Sequence, residues 1–150
     1  MEPIHILLVE DNDGDILLTQ DALEDAKIIT ALSVARDGEQ AMDFLRKRDS
    51  YAGVRTPDLI LLDVNMPKKN GHEVLKDIKQ DPNLKHIPVI MLTTSSAQKD
   101  IDLAYNGHAN CYITKPVDVN DFLSVITTIE SFWISIVTLP ANKTPTGDKR

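Results

Sequence analysis

The sequence predicts one α/β domain, in which a doubly wound sheet of five parallel strands is covered by five helices. Short apolar runs alternate with longer segments of helical periodicity, which is the pattern of strands joined by helical crossovers. The apolar runs lack polar alternation, so both faces of the sheet should be covered. The length of 150 residues is typical of a single domain.

Five runs rich in Ile, Leu and Val are the predicted strands, and polar or turn-forming residues follow each of them. In chain order they cover residues 4–9, 29–35, 59–62, 87–92 and 111–113. Because each run is followed by a helical pattern, the strands should be parallel.

Apolar residues at helical spacing predict a helix after each strand. Asp81 and Pro82 should end the third helix. We expect residues 50–57 to form a long polar connection, residues 1–140 to fold and the polar residues 141–150 to be disordered. The last helix should be long and cover about residues 119–137. The residues that mark the first four helices are, in chain order, Leu18, Ala22, Leu23 and Ala26; Ala41, Met42, Phe44 and Leu45; Gly71, Val74, Leu75 and Ile78; and Ile101, Ala104 and Tyr105.

Composition and charge narrow the functional class. Sixteen Lys and Arg against 23 Asp and Glu give a net charge of -7, which argues against a nucleic-acid binder. No apolar run approaches the roughly 20 residues of a membrane helix, and the N-terminus lacks the pattern of a signal peptide. The single cysteine, Cys111, fits a reducing compartment. We therefore expect a cytoplasmic protein with neither nucleic acid nor membrane as partner.

Polar residues follow four of the predicted strands at the edge where parallel sheets bind ligands. Glu10 and Asp11 follow the first strand, Asp63 the third, Thr93 the fourth and Lys115 the fifth. Carboxylates crowded together repel one another unless a cation compensates them. Carboxylate oxygens are ligands for Mg²⁺ or a similar hard ion. The sequence therefore predicts a magnesium site at this edge.

The same residues suit phosphoryl transfer, which depends on positioning and charge neutralisation. An aspartate can act as a nucleophile and form an acyl phosphate. We expect Mg²⁺ held by Asp11 and Asp63 to bridge to one phosphoryl oxygen. The Lys115 ammonium would pair with a second oxygen, and the Thr93 hydroxyl would donate a hydrogen bond to a third.

Four stretches of the chain resemble the receiver domain of two-component response regulators over about residues 4–137. They are ILLVED at 6–11, PDLILLDVNMP at 57–67, PVIMLT at 88–93 and GHANCYITKP at 107–116. The resemblance implies a flavodoxin-like sheet of order 2-1-3-4-5. It also implies a protein that signals by accepting a phosphoryl group, with only self-catalysed phosphotransfer and dephosphorylation.

The resemblance assigns roles to individual residues. It implies that Asp63 is the phosphoacceptor, and that Glu10, Asp11 and the backbone carbonyl of Asn65 hold Mg²⁺ together with Asp63. It further implies that Lys115 contacts the phosphoryl group, that Thr93 and Tyr112 form a conformational switch, and that the bond between Lys115 and Pro116 is cis. Glu10 stands where the family more often has aspartate.

A narrower resemblance joins the chain to the single-domain regulators that partner bacterial phytochrome histidine kinases. It rests on TTSS at 93–96, NCYITKPV at 110–117, the extended loop 46–56 and the ending at 132–140. It implies a phytochrome-type sensor histidine kinase as phosphodonor. Because only 34 residues follow Pro116, we expect no separate output domain and a signal carried by the receiver's own surface.

Two alternatives compete with this interpretation. Haloacid-dehalogenase-type phosphatases also use an aspartate nucleophile and Mg²⁺, and their first motif resembles residues 11–14. That alternative would leave Asp63 unexplained, and the late acidic pair of those enzymes has no counterpart here. A receiver-like binding module that is never phosphorylated usually lacks acidic or Lys positions, and none is missing here.

The length and the apolar residues of the predicted last helix indicate a homodimer. A helix over residues 119–137 would span about 28 Å, whereas a five-residue strand covers about 17 Å, so its end should overhang the sheet. The overhanging end carries Phe132, Trp133 and Ile136. Large apolar side chains left in water usually mark an interface.

Overall fold

The computed structural model describes residues 3–25, 30–94, 106–109 and 111–115, together with Asp102 and Asn120. Strands and helices alternate as far as the fourth strand, as the apolar pattern predicts, and most residues between the fourth and fifth strands lie outside the described ranges. In chain order the elements are β1 (Ile4–Val9), α1 (Asp13–Asp25), β2 (Thr30–Ala35), α2 (Gly38–Leu45), a 3₁₀ helix (Asp49–Tyr51), β3 (Leu59–Asp63), α3 (Gly71–Gln80), β4 (Val89–Thr93) and β5 (Cys111–Thr114).

The five strands form one sheet in the order β2-β1-β3-β4-β5, and every neighbouring pair is parallel. The predicted sheet and its strand order are therefore confirmed. The chain moves outward from β1 to β2 and then crosses back to β3 on the other side of β1. Ligands bind at such switch points, outside the carboxyl ends of the strands. Here that position is the end of β1 and β3.

The core consists of two layers because successive strand residues point to opposite faces. The side chains of β3 and β4 are buried along their whole length, which explains why their sequences show no polar alternation. One cluster joins Leu7, Val9, Ile60, Leu62 and Met91 to Met42, Val74, Leu75 and Ile78 of α2 and α3, and the other joins Ile6, Leu8, Leu59, Leu61 and Ile90 to Ile16, Ala22 and Leu23 of α1.

Side-chain caps fix the start of the helices on the first of these faces. The Asp37 carboxylate accepts a hydrogen bond from the Gln40 backbone N–H at 2.7 Å, which begins α2. Asn70 and Glu73 form a reciprocal capping box at the start of α3, with both bonds at 3.0 Å. The loops that follow β2 and β3 therefore end at the capping residues Asp37 and Asn70.

Strand β4 begins later than the predicted residue 87. The backbone N–H of Ile87 donates to the Leu84 carbonyl at 3.0 Å, so Ile87 closes the preceding turn. Pro88 has no N–H to give to the sheet, although its carbonyl accepts from the Ile60 N–H at 3.0 Å. The strand therefore starts at Val89 and extends through Thr93.

Two other expectations about local structure are wrong in part. Helix α1 buries Ala22 and Leu23 as predicted, together with Ile16 and Thr19, but Leu18 is 46% exposed and does not belong to the buried face. The connection predicted over residues 50–57 is not wholly polar and irregular. It includes part of the 3₁₀ helix, and the Tyr51 ring packs against the core and lies 5.3 Å from the Phe44 ring.

Several sequence predictions concern residues outside the described part of the chain. They are the helices over residues 101–105 and 119–137, of which only Asp102 and Asn120 are described, the tail 141–150 and the peptide bond between Lys115 and Pro116. Among the residues that are described, no helix has both the length and the apolar character needed to cross a membrane.

Candidate functional site

The sheet brings the predicted polar residues to one edge. Strand pairing aligns Val9 with Leu62 and Asp63 with Leu92, so Glu10 follows β1 beside the end of β3. The pairing of Thr93 with Thr114 places Lys115 one position beyond β5, next to the end of β4. Residues from opposite ends of the chain therefore meet at the switch point.

Backbone hydrogen bonds hold this edge in place after the strands have ended. The Glu10 N–H donates to the Ala35 carbonyl at 2.9 Å, and the Lys115 N–H donates to the Thr93 carbonyl at 2.7 Å. Each bond extends the sheet ladder by one residue. The polar side chains are thus positioned by the rigid sheet as well as by the loops.

Three carboxylates form a compact acidic group at this edge. One oxygen each from Glu10, Asp11 and Asp63 can be chosen so that all three lie within 4.8 Å of one another. Glu10 and Asp63 are buried, whereas Asp11 is exposed and gives access from solvent. This all-oxygen donor set, open on one side, suits a hard divalent cation that keeps several waters.

Lys115 is the cation that faces this acidic group. Its Nζ lies 2.6 Å from Glu10 Oε1 and 3.0 Å from Asp63 Oδ1, and its side chain is only 8% exposed. Such contacts between ionised groups in a partly dry site are strong. The ammonium is therefore held against the Asp63 carboxylate.

Burial and neighbouring charges shift the protonation equilibria of this pair. Burial raises the pKa of Glu10 to about 7, and the Asp63 charge adds to the rise while Lys115 opposes it. Burial alone would lower the pKa of Lys115, but its contacts with Glu10, Asp15 and Asp63 outweigh that effect and raise it. Lys115 is thus charged at neutral pH, and the acidic group carries more negative charge than one ammonium balances.

The other predicted site residues lie around this centre. The Asn65 backbone N–H approaches Asp63 Oδ1 at 3.4 Å, so the loop after β3 curls toward the acidic group. Thr93 is buried at the end of β4. Tyr112 on β5 is half-buried and packs against the core cluster shared with α2 and α3.

One contact at the site is absent from the sequence-based prediction. Asp15, in the first turn of α1, places its Oδ2 atom 3.0 Å from Lys115 Nζ. No helical spacing in the sequence relates Asp15 to the acidic group, because Asp11 precedes the first residue of α1, Asp13. The sequence offered no sign that Lys115, 100 residues away, would lie opposite Asp15.

Comparison with known proteins assigns the chain to a family. A family model described as the response regulator receiver domain matches residues 6–127. Response regulator Rcp1 from Synechocystis is 48% identical over 139 residues, which cover 93% of this chain and 95% of that protein. This assignment favours the receiver interpretation over the phosphatase alternative.

Solved structures agree with the sequence comparison. The phosphorylated cyanobacterial phytochrome response regulator RcpA matches with a TM-score of 0.76 and 47% identity, over 89% of this chain and 96% of that one. The Mn²⁺-bound form of response regulator Rcp1 matches with a TM-score of 0.74 and 47% identity, over 90% of this chain and 97% of that one. The chain therefore belongs to the response regulator receiver domain family and is a close relative of phytochrome response regulators.

Proposed function

We propose that this protein is a stand-alone response regulator that accepts a phosphoryl group on Asp63 from a sensor histidine kinase. The observation that carries the proposal is the set of neighbours of the Asp63 carboxylate, which contacts the Lys115 ammonium at 3.0 Å and lies within 4.8 Å of the Glu10 and Asp11 carboxylates. A cationic contact and a group of carboxylates that can bind a cation are what a phosphoryl dianion requires.

The chemical step is nucleophilic substitution at phosphorus. A carboxylate oxygen of Asp63 attacks the phosphorus of a phosphohistidine and forms the new P–O bond of an acyl phosphate. The P–N bond breaks, and the imidazole nitrogen leaves with the electron pair and takes up a proton. No general base is needed, because the Asp63 carboxylate attacks as the anion.

The residues present fit Mg²⁺ as the metal. We propose that Glu10, Asp11, Asp63 and the Asn65 backbone carbonyl hold it, and the oxygen-only donor set supports this assignment. When bound, the metal neutralises charge between the carboxylates and the phosphoryl oxygens. Asp11 is exposed and Glu10 is buried, so the site has an open side for water and phosphodonor.

Lys115 and Thr93 complete the contacts to the phosphoryl group in this proposal. The Lys115 ammonium would exchange its contact with Asp63 for one with a phosphoryl oxygen. The Thr93 hydroxyl, buried at the end of β4, would donate a hydrogen bond to another oxygen. Both residues then stabilise charge that is present only after phosphorylation.

The output is a change in the protein's own surface. We propose that Thr93 moves toward the phosphoryl oxygens and that Tyr112, half-buried on β5, turns inward into the space that Thr93 leaves. A phosphoryl group shifts such an equilibrium by stabilising one of two states. We place the protein in the cytoplasm, where its kinase would present the phosphohistidine.

The phosphodonor is a phytochrome-type histidine kinase in this proposal, supported by the similarity to RcpA and Rcp1. Phosphotransfer from purified, radiolabelled histidine kinases tests it. We expect transfer from a phytochrome-type kinase to the wild-type chain and none to Asp63→Asn. A faster transfer from kinases of other sensory classes would assign the protein to a different pathway, and no transfer from any kinase would contradict the proposed function.

A further inference from the structure

Lys115 makes one acidic contact that the proposed phosphotransfer does not require. Asp15 Oδ2 lies 3.0 Å from Lys115 Nζ, the same distance as Asp63 Oδ1. Asp15 is outside the group of carboxylates that can share a cation, which consists of Glu10, Asp11 and Asp63. Its contact at the site is therefore with the lysine.

The backbone around Asp15 fixes this carboxylate in place. The Asp15 N–H donates to the Asn12 side chain at 2.9 Å, and the Asp15 carbonyl accepts a hydrogen bond from the Thr19 hydroxyl at 2.9 Å. The residue lies in the first turn of α1, whose dipole favours a negative charge there. Its side chain is 32% exposed, so the contact stands at the solvent side of the buried lysine.

The contact between Lys115 and Asp15 does not have to break when Lys115 exchanges Asp63 for a phosphoryl oxygen. Glu10, Asp15 and Asp63 each bring a carboxylate oxygen within 3.0 Å of Nζ, and the contact with Asp15 is a hydrogen bond donated by the ammonium. The phosphoryl oxygens must therefore share the ammonium with the Asp15 carboxylate. The Asp15 charge also lies beside the position of the incoming dianion and repels it.

We propose that Asp15 competes with phosphoryl oxygens for the Lys115 ammonium and thereby weakens the hold of the site on the phosphoryl group. The inference rests on the proposed function, since it concerns the same phosphoryl site. Asp15 acts through Lys115, so it is a positioning residue rather than a catalytic one. Its presence makes the phosphorylated state easier to reverse.

Beryllofluoride, a phosphoryl analogue, tests the proposal when its binding to the Mg²⁺-loaded full chain is measured by fluorine NMR. Asp15→Asn keeps an oxygen acceptor but removes the charge, and we expect it to tighten analogue binding about three- to tenfold. Asp15→Ala removes the acceptor as well and should tighten binding at least as much. A merely structural role would instead weaken binding and lower the melting temperature.

Asp13→Asn is the matched control. Asp13 lies in the same turn of α1 and carries the same charge, but it pairs with Arg36 at 2.7 Å and its side chain is 84% exposed. We expect analogue affinity in Asp13→Asn to stay within about twofold of wild type, and the two Asn variants to have equal Mg²⁺ affinities.

Two results would overturn the inference in different ways. If wild type binds the analogue and Asp15→Asn binds it no more tightly than Asp13→Asn, the competition by Asp15 is wrong and the proposed function stands. If wild type binds no beryllofluoride in Mg²⁺ and takes no label from a phosphodonor, the proposed function fails and the role of Asp15 fails with it.

Discussion

Gly71 lies directly against the backbone of Asp63: a Cβ atom at position 71 would come 2.3 Å from the Asp63 carbonyl oxygen and 2.8 Å from the Cα of Val64. The Gly71 N–H also donates to the Val64 carbonyl at 2.9 Å. The first residue of α3 is thus packed against the residue that we assign as phosphoacceptor. The packing of this helix fixes the position of the Asp63 backbone.

Gly71→Ala should therefore destabilise the protein and displace Asp63. The added methyl group meets backbone atoms, which cannot rotate away as a side chain can, so we expect a loss of about 1–3 kcal/mol in the free energy of unfolding. Urea denaturation measures the loss, and labelling with acetyl phosphate should fall in parallel. Gly53→Ala is the control, because nothing lies within 4 Å of its added Cβ. Equal stability of the two variants would contradict this packing.

Lys115→Ala should separate metal binding from phosphoryl binding. The ammonium contacts Glu10 and Asp63, so its loss leaves buried carboxylates without a counter-charge and should lower the metal-free stability by about 2–4 kcal/mol. Mg²⁺ should still bind and restore part of this stability, while phosphorylation is impaired. Calorimetric titration with Mg²⁺ checks the division of roles. The proposed division of roles is wrong if Lys115→Ala loses Mg²⁺ affinity as severely as Asp11→Ala.

The raised pKa of Glu10 predicts a pH dependence of metal binding. Its pKa in the folded chain is about 7, against 4.5 for an ordinary glutamate. Below about pH 7 a proton must leave before Glu10 can act as a ligand, so Mg²⁺ affinity should rise about tenfold between pH 6 and pH 8. Affinity measurements at several pH values test this. Glu10→Gln should abolish most of the rise, and a flat wild-type profile would contradict the prediction.

The raised pKa of Glu10 also predicts how the stability of the metal-free protein changes with pH. Because the folded-state pKa of Glu10 is raised, the folded chain holds the proton more tightly than the unfolded chain. The free energy of unfolding should fall as pH rises from about 4.5 to 7, by on the order of 1–3 kcal/mol. Saturating Mg²⁺ should remove this fall, because the metal compensates the deprotonated carboxylate.

Homodimerisation through the last helix stays a prediction, since residues 119–137, apart from Asn120, lie outside the described part of the chain. We expect a dimer at micromolar concentration in which Trp133 is a central contact. Trp133→Glu should weaken it by at least about 30-fold, whereas Trp133→Phe keeps an aromatic ring and should weaken it less. Sedimentation equilibrium decides. A wild-type monomer with and without phosphate would contradict the dimer, and a dimer insensitive to Trp133→Glu would move the interface elsewhere.

The strands and helices could be predicted from the sequence because each is marked by the pattern of its own residues. Strand β1 and helix α3 are marked by a continuous apolar run and by apolar spacing with clear end signals, and their bounds match the prediction within two residues. The start of β4 could not be predicted from the sequence, because Ile87 is as apolar as the strand residues that follow it. Only the hydrogen bond from its N–H to Leu84 shows that it belongs to the turn.

The site could be predicted in part for a similar reason. Glu10 and Lys115 follow strands, Asp63 is the last residue of one, and parallel strands bring their ends together. Asp15 lies in the first turn of α1, and its position relative to Lys115 depends on how α1 packs against the sheet. A contact across 100 residues leaves no periodic trace in a single sequence. In α1 the burial of Ala22 and Leu23 was predicted correctly, but that of Leu18 was not, because Leu18 is exposed although it is apolar.

The most direct test of the central claim is chemical identification of the phosphorylated residue. Borohydride reduces an aspartyl phosphate to homoserine, and mass spectrometry of the chain treated with acetyl phosphate and Mg²⁺ locates the change. We expect it at Asp63, with no other aspartate altered and no reduction product in Asp63→Asn. Modification at Asp11 or Asp13, or persistent labelling of Asp63→Asn, would contradict the account.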